Sequence, residues 1–266
     1  MKTGFNELDK IIDIGIPQLI LLTGIHLIEE FSGDIANNIC FKQQDDKDYN
    51  VLEIVRCRKE YIIQRMIINE ANVNYRNWYH KEKYTNEELQ KIGKAVINVI
   101  NAPNRIPRII EQDLELYDLR KVAKLIENYA NEYADKEDIT TLVVVDVFPL
   151  SSPDILYKKK KREIFKFIKD LKMISYKLKC PILVLYNIEN NKCNYLTKEN
   201  IDNINKINKY VDKFIITNID KTNTYNVDVY NKTEKIGECK LKYDCNIRKF
   251  YDYKQGESLI CQIKIF

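Results

Sequence analysis

The sequence of 266 residues predicts an α/β fold: a twisted and mostly parallel sheet flanked by helices, with antiparallel strands added at its C-terminal edge. Three observations carry the α/β class. The runs Thr141-Leu142-Val143-Val144-Val145-Asp146 and Pro181-Ile182-Leu183-Val184-Leu185-Tyr186-Asn187 are almost continuously apolar, as strands buried on both faces are. Between them, Arg162–Lys179 spaces Ile164, Phe165, Ile168, Leu171, Lys172, Ser175 and Leu178 as a helix does, so 141–187 reads as one right-handed βαβ unit. From Val211 onward the long helical patterns give way to short strand-like segments separated by polar turns, which suggests antiparallel strands.

Taken in order, Gln18–Leu22 is the first strand and a helix opens near Phe31. Val51–Val55 is a further strand, Lys59–Glu70 and Thr85–Ile100 are helices, and Leu119–Tyr133 is an amphipathic helix that feeds the strand at Thr141. The tail contributes Val211–Thr217, Thr224–Tyr230, Gly237–Tyr243 and Arg248–Tyr253. No repeat and no Pro- or Gly-rich linker divides the chain, so residues 1–266 are expected to form a single domain.

Composition narrows the function classes. With 43 basic and 39 acidic residues the net charge is only +4, so any nucleic-acid contact must come from local clusters. The seven cysteines include no C-x-x-C pair, and only His26 and His80 offer imidazole, which argues against a zinc site. No run approaches the roughly 18 apolar residues of a membrane span, and Met1-Lys2-Thr3-Gly4-Phe5 has no apolar signal core. A cytoplasmic protein with mostly buried, reduced cysteines is expected, and no membrane partner.

Between the first strand and its helix runs Thr23-Gly24-Ile25-His26-Leu27-Ile28-Glu29-Glu30-Phe31-Ser32-Gly33, where a nucleotide enzyme of this layout carries a phosphate loop. Such a loop, G-x-x-x-x-G-K-[ST], needs glycines for backbone approach, plus a Lys and a hydroxyl for phosphate and Mg²⁺. No lysine is present here, and Glu29 and Glu30 bring the wrong charge. At roughly 5 Å and an effective dielectric of about 20, each carboxylate facing a phosphate charge costs about 3 kcal/mol. A filled or irregular turn plugged by Ile25, Leu27, Ile28 or Phe31 is therefore expected in place of an anion hole.

Five motifs in order resemble the C-terminal RecA-like domain of DnaB-type replicative helicases. Thr3-Gly4-Phe5-Asn6-Glu7-Leu8-Asp9 is similar to the family's T-G-F-x-x-L-D, and Ile68-Asn69-Glu70-Ala71-Asn72-Val73-Asn74 to its S-E-A-R-V-D helix end. Val144-Val145-Asp146-Val147-Phe148-Pro149-Leu150 resembles I-V-I-D-Y-L-Q-L, and Cys180 to Asn187 resembles V-P-V-I-A-L-S-Q. Gly237 to Tyr243, followed by Arg248-Lys249-Phe250, is similar to G-x-V-x-L-x-F and T-R-F. The resemblance implies a RecA fold, ATP and Mg²⁺ as cofactors, oligomerisation and contact with single-stranded DNA.

Departures from that pattern set the functional expectation. The family's water-polarising glutamate falls at Arg56, whose guanidinium stays protonated and cannot act as a base; it suits an anion or a surface strand end. The finger motif K-Q-R-N-G corresponds to Asn231-Lys232-Thr233-Glu234-Lys235-Ile236-Gly237, which has no Arg. Asp146 matches the family's Mg²⁺-holding aspartate and suits equally a turn cap, while Asn187 falls at the sensor glutamine. The channel-loop sequence S-D-L-R-E-S-G-S-I is reduced to Ile201-Asp202-Asn203-Ile204-Asn205-Lys206-Ile207, leaving Lys206 and Lys209.

A cationic run remains, Lys158-Lys159-Lys160-Lys161-Arg162 after Tyr157, which suits either a phosphate-tracking loop or a solvated helix start. The expected protein is thus a catalytically inactive relative with no cofactor and no metal, serving as a binding or assembly module. Its expected partners are a DnaB-type helicase or its own copies, with single-stranded DNA as a further ligand. An active ATP-dependent helicase or translocase with a divergent phosphate loop is the alternative. The family's primase-interacting domain and linker helix have no counterpart in the sequence, so assembly in the family's manner is not expected.

Overall fold

In a computed structural model, residues 2–25, 31–43, 49–55, 58–101, 107–111, 119–134, 140–147, 155–187, 205–219 and 224–253 are described. Their helices are α1 (Asn6–Asp9), α2 (Phe31–Gln43), α3 (Lys59–Ala71), α4 (Asn86–Asn101), α5 (Leu119–Ala134) and α6 (Ile155–Lys177). Their strands are β1 (Leu19–Ile25), β2 (Tyr49–Val55), β3 (Arg108–Glu111), β4 (Thr140–Val147), β5 (Ile182–Asn187), β6 (Lys213–Ile219), β7 (Thr224–Asn231), β8 (Glu234–Asp244) and β9 (Lys249–Asp252). All nine form one sheet in the order β3-β2-β4-β5-β1-β6-β7-β8-β9.

Six neighbours, β3 through β6, run parallel, and β7, β8 and β9 add on antiparallel. The two apolar runs seen in the sequence become β4 and β5, adjacent and central, with Val143 opposite Ile182 and Val145 opposite Val184. Burial on both faces explains their composition: Val143, Val145, Ile182 and Val184 join the core under α5 and α6, while Val144, Leu183 and Leu185 join the core under α1 and α2.

The opening motif has a local cause. Gly4 has φ of 84°, a conformation that suits glycine. This turn lets the Asp9 carboxylate accept from the Thr3 hydroxyl at 2.7 Å and the Gly4 N–H at 3.3 Å, while Phe5 and Leu8 enter the core.

Three elements differ from the sequence reading. β6 is parallel to β1, with Leu22 opposite Ile215, and only β7 to β9 are antiparallel. Its start is tied to β1 by Asp212, whose carboxylate accepts from the Leu19 N–H at 2.8 Å and whose own N–H donates to the Leu19 carbonyl at 2.9 Å. The short β3 gave no pattern because a strand of four residues at a sheet edge contains too few alternations to read. Finally, α6 begins at Ile155 instead of Arg162, so the Lys158–Arg162 run is helical, as the second of its two readings has it and as the good helix propensity of Lys and Arg favours. Its buried stripe also includes Phe167 and Ile174.

Among the described cysteines, Cys40, Cys180 and Cys239 are buried and unpaired, as small hydrophobes are. Burial pushes the thiols of Cys180 and Cys239 up to about 12. No described helix is long and apolar enough to cross a membrane.

A tight approach holds the turn after α1 against β8. A Cβ on Gly237 would lie 2.7 Å from Ile11 Cγ2 and 3.0 Å from Ile11 Cγ1. Gly237→Ala is therefore expected to lower stability by about 1–3 kcal/mol through overpacking, read as a shift of the urea midpoint at unchanged slope.

Candidate functional site

The carboxyl ends of the parallel strands share one edge of the sheet, where open α/β sheets place ligands. The root of the first loop is anchored there. The Thr23 hydroxyl donates to the Tyr186 carbonyl at 2.6 Å, and the Thr217 hydroxyl donates to the Thr23 carbonyl at 3.2 Å. Residues 26–30, with Glu29 and Glu30, lie outside the described residues, as do the side chains of Ile25 and Phe31. The expected plug of this turn therefore falls outside the description.

At the start of α2, the chain supplies its own ion network. Asp34, in the first turn, is 2% exposed. Its Oδ2 accepts from the Tyr243 hydroxyl at 2.5 Å and from Arg248 Nε at 3.0 Å, and Arg248 Nη2 lies 3.0 Å away. Its Oδ1 lies 3.6 Å from Arg65 Nη1. That same nitrogen is 3.6 Å from where a Cβ on Gly33 would stand, so the guanidinium lies against the opening of the helix. Burial pushes the Asp34 carboxyl up, and Arg65, Arg248 and the Tyr243 hydroxyl pull it back. The positive end of the helix dipole also favours a carboxylate in the first turn.

Neighbouring groups brace this network. Asn38, one turn further along α2, donates to the Asp34 carbonyl at 2.7 Å and accepts from the Phe250 N–H at 3.2 Å. The Arg248 guanidinium stands 4.8 Å from the Tyr75 ring centroid, and the Tyr75 N–H donates to the Asn246 carbonyl. Arg65 comes from α3, Tyr243 from β8 and Arg248 from the turn before β9.

A second carboxyl lies close by on β2. Glu53 is 2% exposed, and its Oε2 has no hydrogen-bond partner. Burial raises its carboxyl to about 7, with Arg65 pulling it down and the charge of Asp146 pushing it up. The Cys40 thiol, on α2, is raised in turn by burial and by Glu53. Among the described residues, no group of three or more His, Cys, Asp or Glu is placed to hold a metal ion.

The residues singled out in the sequence are only partly brought together. Asp146 ends up near the end of β4, opposite Leu185, and in electrostatic contact with Glu53. Asn187 ends β5 opposite Gly24, with its side chain outside the description, and Arg56 lies outside the described residues. Lys158–Lys161 occupy the first turns of α6, which packs on the sheet face opposite α2; of this run, only the Arg162 side chain is described, and it is exposed. Of the two lysines in the stretch that matches the finger motif, Lys232 and Lys235, the latter is held by Asp228 at 2.8 Å and by Glu238.

Asp34, Glu53 and Arg65 were not legible as site residues. The available signals were an Asp directly after Ser32-Gly33 at a helix start and a lone Glu inside the apolar run Val51-Leu52-Glu53-Ile54-Val55.

Comparison with known proteins agrees with the topology. A solved ATPase domain superposes with a TM-score of 0.73 at 14% identity, covering 95% of this chain and 90% of that one. A DnaB-like replicative helicase, solved in a study of its interactions with primase, gives 0.73 at 14% identity, and this chain spans 61% of its length. The RadB recombinase gives 0.53 at 11% identity, covering 95% of this chain and 99% of that one. At these identities the likeness shows the fold alone. No curated protein sequence matches the chain. The sequence profile of the DnaB-like helicase C-terminal domain matches residues 1–250, and with the RecA-like sheet and the ordered motifs this places the chain in the DnaB-like helicase C-terminal domain family.

Proposed function

We propose that this chain is a DnaB-like RecA domain that has exchanged ATP chemistry for a role as a binding or assembly module, in the cytoplasm and in a DNA replication or mobile-element setting. The observation that carries the reading is the buried Asp34 network. In a phosphate-binding domain the start of this helix offers N–H groups and cationic charge to a phosphate. Here Arg65 and Arg248 are already matched to a carboxylate of the chain itself, in the first turn of α2. Two further carboxylates, Glu29 and Glu30, precede that helix, and the sequence has Arg56 where the family has its water-polarising glutamate.

Its partners in this reading are a DnaB-type helicase or further copies of the chain, and single-stranded DNA along Lys158–Arg162. A second reading, an active ATP-dependent helicase with a divergent loop, is favoured by the retention of Asp146 at the end of β4. Calorimetry with Mg²⁺ and ATP separates the two. No tight binding, and no change in Asp146→Ala, is the expected result. Tight binding that Asp146→Ala abolishes would establish the second reading instead.

A further inference from the structure

The sheet face that carries α5 and α6 continues past β6 without a helix among the described residues. Among the described residues, α1 packs on β8 and α2 on β9, and both lie on the opposite face, where Leu241, Tyr243 and Phe250 are buried. Strand alternation therefore turns Lys240, Lys242 and Asp244 of β8, Lys249 and Tyr251 of β9, and the following Tyr253 to the uncovered face.

The register organises these side chains into rows. Lys242 stands opposite Tyr251 and Asp244 opposite Lys249, and the Tyr253 N–H donates to the Lys240 carbonyl at 3.3 Å, which carries the ladder one residue further. Lys249 Nζ lies 5.6 Å from the Tyr251 ring centroid, and Lys240 Nζ lies 5.8 Å from that of Tyr253. The two tyrosines are 38% and 36% exposed. Asn226 of β7 sits opposite Lys240, and Asn218 of β6 opposite Asn226, so the row continues across the sheet in polar side chains.

Charge on this face is divided. Asp228 and Glu238 are paired with Lys235, and Glu238, two residues before Lys240 on β8, also lies within reach of that lysine's charge. Around the tyrosines stand three lysines and one acid, Asp244, which also accepts from the Asn246 N–H at 2.8 Å.

We propose that this face binds single-stranded nucleic acid, with bases stacked on Tyr251 and Tyr253 and phosphates beside Lys240, Lys242 and Lys249. Residues i and i+2 of a strand are roughly 6.6 Å apart, which allows one ring for each base of an extended, unstacked strand. Flat bases use both features of the face. An acidic peptide would engage the lysines and leave the rings unused. The surface is separate from the Lys158–Arg162 run and does not depend on the loss of ATP chemistry.

Fluorescence anisotropy of a labelled oligothymidylate, read with the full chain across a salt series, tests the proposal. The Tyr251→Ala/Tyr253→Ala double variant is expected to bind at least about tenfold more weakly, whereas Tyr251→Phe/Tyr253→Phe keeps wild-type affinity because the ring remains. Lys240→Gln/Lys249→Gln is expected to flatten the salt dependence by roughly one to two in slope. An iodouracil-substituted strand is expected to cross-link to Tyr251 or Tyr253. These outcomes hold even if neutralising Lys158–Lys161 changes nothing. Unchanged affinity in a folded alanine pair overturns the proposal, as does equal competition by a polyglutamate peptide or the absence of any oligothymidylate binding at low salt.

Discussion

Asp34→Ala is expected to destabilise the protein by about 3–5 kcal/mol, more than any surface substitution. Its removal takes the shared carboxylate from two buried guanidiniums, leaving Arg65 with the more distant Glu53 and Arg248 against the Tyr75 ring. Arg248→Ala is expected to cost less. Asp34 then keeps Arg65 and the Tyr243 hydroxyl, although the contact of Arg248 with the Tyr75 ring is lost as well. Because the cost arises from buried charge that has lost its closest counter-ion, replacing all three ionic groups by apolar side chains of similar volume should recover much of the loss. Urea unfolding of the two single variants and the triple variant checks the order. A loss below about 1 kcal/mol in Asp34→Ala would mean that the network is hydrated and contributes little.

Glu53 sets the second large effect, and its sign is the reverse of an ordinary ion pair. In the unfolded chain its carboxyl ionises near 4.5, whereas in the folded chain burial delays ionisation to about 7. Between these values the folded protein holds the extra proton, so stability falls as pH rises through that window and levels off above it. The loss attributable to this side chain is on the order of 3 kcal/mol.

Glu53→Gln preserves the shape and removes the charge beside Asp146. The variant should therefore be more stable than the wild type at pH 8 and indistinguishable from it near pH 4.5. Thermal unfolding of both proteins across pH 4.5–8 isolates the contribution, since other titrating groups cancel in the difference. A variant less stable than wild type at pH 8 would show that the Glu53 charge is used, with Arg65 as its partner.

How much of the molecule was legible beforehand depends on the range of the interaction concerned. Helix and strand periods are local, so Thr141–Asp146 and Pro181–Asn187 announced the two central strands, and the apolar stripe of 162–179 announced the helix between them. The direction of β6 was not legible. Its sequence resembles the antiparallel strands after it, and only its parallel pairing with β1 and the Asp212 link to Leu19, both distant in sequence, show where it lies. At the candidate site the missing lysine between Thr23 and Gly33 could be read from the sequence, whereas the buried network of Asp34, Arg65 and Arg248 could not.

Neighbouring residues were enough to specify the α/β class, the two central strands with the helix between them, membership in a helicase-like family, and the absence of the standard phosphate-loop lysine. Each of these is written locally, as periodicity, motif spacing or residue type. Folding in three dimensions was needed to bring Asp34 to Arg248 across 214 residues of chain, to face Glu53 with Asp146, and to set two tyrosines on one sheet face with three lysines. Charge pairing and burial act through space. Their partners are chosen by the packing of distant segments, and the pattern of adjacent residues does not record that choice.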